Sequence, residues 1–129
     1  MRVLALDHGQ VRTGVAVSDE TGTLASPLTV VERVESPAGQ RALLELIAEQ
    51  RPERIVVGLP VSLDGREHAQ AARARAFARR LAKAVEIPVA LYDERYTSAL
   101  ADRRGGRSAR DARAAATLLE DYLRTISDE

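Results

Sequence analysis

Apolar residues along this chain fall into two kinds of run. Five are short and nearly unbroken: Val3-Leu4-Ala5-Leu6, Gly14-Val15-Ala16-Val17-Ser18, Leu28-Thr29-Val30-Val31, Ile55-Val56-Val57-Gly58-Leu59-Pro60 and Val89-Ala90-Leu91-Tyr92. Runs of this length, bounded by Gly, Pro and Asp, predict buried strands. The others are longer and recur at helical spacing. Leu43, Leu44, Leu46 and Ile47 predict a helix from about Pro37 to Gln50, with Ser36 as its cap, Pro37 at its first position and Pro52 beyond its end. Ala74, Phe77, Ala78, Leu81 and Val85 form a second stripe, with Arg75, Arg79 and Lys83 on the solvated side. A third helix is expected from Ser108, as its cap, to about Ile126, with Ala112, Ala115, Ala116, Leu119, Leu123 and Ile126 turned inward.

The resulting order is β-β-β-α-β-α-β-α, with no internal repeat and no low-complexity linker, so a single α/β domain over residues 1–129 is expected. The first three strands are close enough in sequence to form an antiparallel meander. The helical crossovers that follow imply parallel pairing of strands one, four and five. The prediction is a mixed five-stranded sheet with helices packed on it. In such sheets the chemistry is expected just beyond the carboxyl ends of the parallel strands.

Three acids are candidates for that edge. Asp7 ends the first strand, Glu94 follows the fifth by two residues, and Asp111 is expected one turn into the last helix. With strand four between them, Asp7 and Glu94 would overhang one edge, and Gly58 at the end of strand four leaves room. Converging carboxylates repel one another unless a cation joins them, and a pair of hard divalent ions about 3.5–4 Å apart is an arrangement that cleaves phosphodiesters. Each acid also has a structural reading. Asp7 can start a turn with Gly9, Glu94 can belong to a surface Asp93-Glu94-Arg95 ion cluster, and Asp111 can complement a helix N-terminus.

Composition narrows the chemistry. The 129 residues include no Cys, which excludes disulfides, thiolate metal sites and Cys nucleophiles, and only two His, His8 and His68. Hydrophobic residues make up 45% and charged residues 29%, an ordinary globular balance. The N-terminus meets Asp7 too early for a leader's apolar core, and no window is long enough to span a membrane, so a soluble, cytoplasmic protein is expected. The formal net charge is zero, but it is segregated: residues 1–65 carry −3, residues 66–113 carry +6 and residues 114–129 carry −3. The basic excess flanks Glu94 and Asp111. Arg103, Arg104, Arg107 and Arg110 are therefore the leading phosphate-contact candidates, with Arg12 and Arg95 nearer a reacting phosphate. Aromatic residues are scarce, at 3%, so recognition should act on backbone and shape, with Tyr96 the one stacking candidate.

Four ordered motifs carry a more specific signal. Asp7-His8-Gly9 with Arg12-Thr13-Gly14-Val15-Ala16-Val17-Ser18-Asp19, Ile55-Val56-Val57-Gly58-Leu59-Pro60 with Asp64-Gly65, Asp93-Glu94-Arg95-Tyr96-Thr97-Ser98, and Asp111 ahead of Ala114-Ala115, Leu118-Leu119 and Tyr122-Leu123 closely resemble the YqgF-type family over nearly the whole chain. That family comprises bacterial pre-16S rRNA nucleases, also described as Holliday-junction-resolvase-like proteins, with a ribonuclease-H-like fold. The resemblance implies a metal-dependent nuclease using Mg²⁺ or Mn²⁺, in two-ion form, with Asp7, Glu94 and Asp111 at the family's acidic positions as catalytic and metal-binding residues. It implies trimming of the 5′ end of precursor 16S rRNA, with structured RNA and pre-ribosomal particles as partners, or cutting of branched, four-way DNA. His8 and Thr13 depart from the aliphatic or small residues more usual in the family. The stretch between Glu94 and Asp111 is also shorter, and its usual Lys-rich run is reduced to Arg103-Arg104-Gly105-Gly106-Arg107.

Two other readings compete. Asp7-His8-Gly9 with Val56-Val57-Gly58 loosely matches the phosphate loops of actin-like ATPases and sugar kinases, which need a second domain to close over nucleotide. A non-catalytic nucleic-acid or ribosome-assembly binding module would keep the fold without needing the acids, yet all three are present. The sequence fits a monomer and a homodimer equally.

Overall fold

The structure, a computed structural model, describes residues 1–60, 69–93 and 111–127. Its strands are β1 (Val3–Asp7), β2 (Arg12–Ser18), β3 (Ala25–Glu32), β4 (Arg54–Leu59) and β5 (Val89–Asp93), and its helices are α1 (Pro37–Gln50), α2 (Ala69–Ala84) and α3 (Ala112–Ser127). They form one five-stranded sheet in the order β3-β2-β1-β4-β5. β1 pairs antiparallel with β2 and parallel with β4, β2 antiparallel with β3, and β4 parallel with β5. This is the mixed sheet expected from the sequence, with β4 between β1 and β5.

Alternation along the strands divides the core between two faces. Val3, Ala5, Ala16 and Val56 point to one side, where Leu118, Leu119, Tyr122 and Leu123 of α3 cover them. Leu4, Leu6, Val15, Ile55 and Val57 point to the other, against Leu43 and Ile47 of α1 and Phe77 and Leu81 of α2. β1 is buried along its whole length because it is central and covered on both sides. Small residues on the first face let α3 lie close to the sheet. α3 packs most extensively on β1, β2 and β3.

Local signals explain most boundaries. Ser36 Oγ accepts the Gly39 N–H at 3.0 Å and Pro37 occupies the first turn of α1, as its sequence predicts. The helix stops where Arg51 turns left-handed, at φ 51°, and its N–H bonds the Ile47 carbonyl. β2 begins two residues before the expected Gly14, because Arg12 and Thr13 pair with Glu32 and Val31. β3 begins at Ala25, three residues before Leu28, and is an edge strand in which only Val31 is buried. Pro27 is tolerated there beside a register shift at Val15/Ala16, since an edge residue need not donate outward.

The last helix requires a correction. Asp111 is not a residue inside it: α3 starts at Ala112, Asp111 precedes it, and Ser108 lies outside the described residues. Ala112 is only half-buried, while Leu118 and Tyr122, absent from the expected stripe, are buried. A helix spanning three strands needs a wider apolar arc than one stripe.

Candidate active site

Asp7 is the last residue of β1 and only 3% exposed. It follows Val3 and Ala5 by the two-residue pleat, so its side chain belongs to the face covered by α3. Across β2 its partner is Gly14. On the other side, the β1–β4 register ends at Leu6 and Val57, so Gly58 is the next residue beside Asp7. The carboxylate thus stands between two positions that carry no side chain.

Gly14 is where the start of α3 comes down. A Cβ at Gly14 would overlap the backbone carbonyl of Asp111 and crowd the Ala112 nitrogen. Only glycine lets this approach occur, and it brings the Asp111 backbone against the residue paired with Asp7. The Asp111 side chain caps the helix: Oδ1 accepts the Ala114 N–H at 3.0 Å, Oδ2 pairs with Arg113 at 2.9 Å, and the carbonyl accepts the Ala115 N–H at 3.3 Å. Burial works to raise the Asp111 carboxyl, but the Ala114 N–H and the Arg113 guanidinium outweigh it and hold it below the ordinary carboxylate range. The helix-terminus reading of Asp111 is therefore realised, as the cap itself and not as a first-turn residue.

Glu94 lies outside the described residues. Tyr92, two residues earlier, pairs with Gly58 and packs on the α3 face. Its hydroxyl donates to Asp121 at 2.6 Å, and its ring meets Tyr122 edge-on at 5.6 Å. Burial, reinforced by Asp121, raises the Tyr92 hydroxyl above its usual range. Arg54 donates to the Tyr122 hydroxyl at 2.8 Å. β4 and β5 are thereby tied to α3 on the same face as Asp7. Among the described residues no three His, Asp or Glu side chains gather closely enough to hold a metal by themselves.

His8, the next residue along, belongs to the opposite face. It is 3% exposed, stacks on Phe77 with centroids 4.6 Å apart, and bonds Glu35 through Nε2 at 2.8 Å. Glu35 also pairs with Arg80 of α2. The fully buried Thr13 bridges back to Gly9, with Oγ1 lying 3.4 Å from both the Gly9 nitrogen and its carbonyl oxygen. The two departures from family usage thus have structural causes. His8 plugs the α2 side, and Thr13 closes the turn that follows Asp7.

With this geometry, residues 1–125 match the family described as RuvX: Holliday junction resolvase. The chain belongs to this family. It is 42% identical, over 95% of its length and 79% of the relative's, to a Streptomyces coelicolor protein named "Putative pre-16S rRNA nuclease". A protein of the same name from Anaeromyxobacter sp. is 41% identical, over 95% of this chain and 96% of the relative. Among solved structures, Thermus thermophilus RuvC aligns over 99% of this chain and 97% of its own, with a TM-score of 0.58 at 19% identity. The fowlpox virus resolvase, solved with Holliday junction DNA, aligns with a TM-score of 0.59 at 8% identity, covering 98% of this chain and 99% of its own. These two likenesses establish the ribonuclease-H-like fold. Membership of the RuvX family makes the chain a nuclease.

Of the expected phosphate contacts, Arg12 is exposed at the start of β2. Arg95, Arg103, Arg104, Arg107 and Arg110 lie outside the described residues, as does Tyr96. No described helix is long and apolar enough to cross a membrane. Arg79 and Lys83 are exposed, as their place opposite the apolar stripe predicts, while Arg75 is half-buried. The sequence reading passed over Gln70, Arg73 and Arg80. Their spacing of three and seven residues, which puts them along one side of α2, was legible. Glu35 had no such signal, because its partners His8 and Arg80 are 27 and 45 residues away.

Proposed function

We propose that this chain is a divalent-metal-dependent nuclease whose catalytic and metal-binding residues are Asp7, Glu94 and Asp111, acting in the cytoplasm on the 5′ end of precursor 16S rRNA. The observation that carries this reading is the placement of Asp7. It is buried at the carboxyl end of the central strand, flanked by Gly14 and Gly58, with the Asp111 backbone docked on Gly14. A donor set of carboxylate oxygens without thiolate suits a hard cation such as Mg²⁺ or Mn²⁺. Glu94 follows Tyr92, which stands on this same face beside Gly58. When bound, the metal, as one ion or two, supplies activation of water and neutralisation of charge on the leaving oxygen.

The residues' part is positional. Asp7 is fixed by strand pairing on both sides, so its carboxylate is oriented before any substrate arrives. To help hold a metal, the Asp111 carboxylate would exchange its bonds to Ala114 and Arg113 for the cation. The glycines leave space for a phosphodiester to approach the acids.

The names of the relatives favour precursor 16S rRNA as substrate, which would be met within pre-ribosomal particles. The family description favours a second substrate, four-way DNA. End trimming needs one copy of the chain and symmetric junction cutting needs two. Both substrates, offered side by side with Mg²⁺ and with Mn²⁺, decide the matter. Cleavage of the RNA fragment alone is expected, cleavage of the junction alone would transfer the reading to resolution, and cleavage of neither would end the enzymatic account.

A further inference from the structure

The far side of the Asp7 edge carries a groove that the nuclease reading leaves unused. A hollow of about 440 Å³ opens between the turn after β1 and α2, lined by Gly9, Gln10, Arg12, Gln70 and Arg73. A second, of about 350 Å³, is lined by Gln10, Glu35, Arg73 and Arg80. Gln10 and Arg73 line both, so the two make one continuous groove that starts at the residues following Asp7.

Its charge is one-sided. Arg12 and Arg73 are exposed and form no ion pair among the described residues. Glu35, the one acid lining it, is taken up by Arg80 through one oxygen and by His8 through the other. The Gln10 amide and the Gly9 backbone add groups that hydrogen-bond phosphate and sugar without selecting a base, and His8, Val11 and Ala76 complete the walls. A cationic groove of this kind holds a phosphodiester backbone, and with almost no exposed aromatic surface it would do so independently of sequence.

We infer that this groove binds the substrate's phosphodiester backbone next to the cleaved bond, with Arg12 and Arg73 each neutralising a phosphate. The inference rests on the nuclease reading for the position of the cleaved bond, at Asp7, but the groove's affinity for a polyanion does not depend on cleavage. It adds a second set of phosphate contacts to those expected of the arginines between residues 103 and 110. Asp7 and His8 are consecutive and face opposite sides of the sheet, so a strand crossing the sheet's end would pass from the acids into the groove through the Gly9–Val11 turn.

The test is fluorescence anisotropy in EDTA over about 50–200 mM salt. The probes are a labelled single-stranded precursor 16S 5′ fragment and a labelled four-way DNA junction. Arg73→Gln and Arg12→Gln should each weaken binding, on the order of threefold to tenfold, and lower the salt slope by about 0.7 on the single strand or about 0.9 on the duplex arms. Arg79→Gln removes the same charge from the solvated side of α2 and should leave the slope unchanged. The probe that loses more affinity identifies RNA or DNA as the groove's ligand. A slope for Arg73→Gln equal to that of Arg79→Gln on both probes would overturn the groove, and wild-type cleavage in that case would leave the nuclease reading standing. A lowered slope without any cleavage would uphold the groove and reject the nuclease.

Discussion

The two faces of the sheet, compared at the end of β1, show how one backbone turn can serve two purposes. On the α3 face, Asp7 sits between Gly14 and Gly58 beneath the capped start of a helix, and the residues around it are small. On the α1/α2 face, the very next residue, His8, is packed against Phe77 and tied through Glu35 to Arg80. One side sets a carboxylate between two glycines; the other is filled and cross-linked. Strand alternation produces the division, because consecutive residues must face opposite ways. The difference teaches that the two layers can take separate parts at an active-site edge: the His8 side anchors the strand end, and the Asp7 side sets a carboxylate between two glycines.

Breaking the α3 side should have the largest effects. Leu118→Ala removes a fully buried side chain from the helix that covers Asp7 and should cost about 2–5 kcal/mol in chemical denaturation. Gly14→Ala forces a methyl into the Asp111 carbonyl and should cost about 1–3 kcal/mol by overpacking; a melting temperature equal to wild type would mean that α3 does not dock there. Asp111→Ala removes the cap and should cost about 0.5–2 kcal/mol, whereas Asp111→Asn, also a good cap, should cost less.

The α1/α2 side is sharpened by a smaller change. Glu35→Gln leaves a group able to bond His8 but removes the charge that pairs Arg80, so polyanion binding should tighten about twofold to threefold with a steeper salt slope. A purely structural role for Glu35 would weaken binding instead.

The smallest effect lies far from both faces. The Thr21 hydroxyl and the Leu24 and Thr23 N–H groups hold the exposed Asp19 carboxyl at about 2. A carboxyl depressed in the folded state stabilises fully above its unfolded value of 3.8 and loses that contribution as pH falls toward about 2. Asp19→Asn should flatten this acid limb of the stability curve, read from melting temperature against pH.

Legibility in the sequence followed the range of the forces involved. Strand runs, the Ser36-Pro37 helix start and the parallel crossovers are local patterns, and all appear in the fold. Asp7 was legible because a charge ending a buried run is conspicuous. The start of α3 was misplaced because Ser108 and Asp111 are both good caps, and docking against Gly14, almost a hundred residues earlier, is consistent only with the second. The groove on α2 went unread because its walls come from the β1–β2 turn and from a helix some sixty residues on, and only folding brings Arg12 beside Arg73.

The central claim is that Asp7 performs chemistry and does not merely shape the fold. Asp7→Asn, assayed with Mn²⁺ on the precursor 16S fragment and the four-way junction, tests it directly, with cleavage and binding read in the same samples. The account predicts a loss of cleavage greater than about 100-fold, with melting temperature, affinity in EDTA and salt slope near wild type. An Asp7→Asn protein that folds, binds and still cleaves at close to the wild-type rate would contradict it.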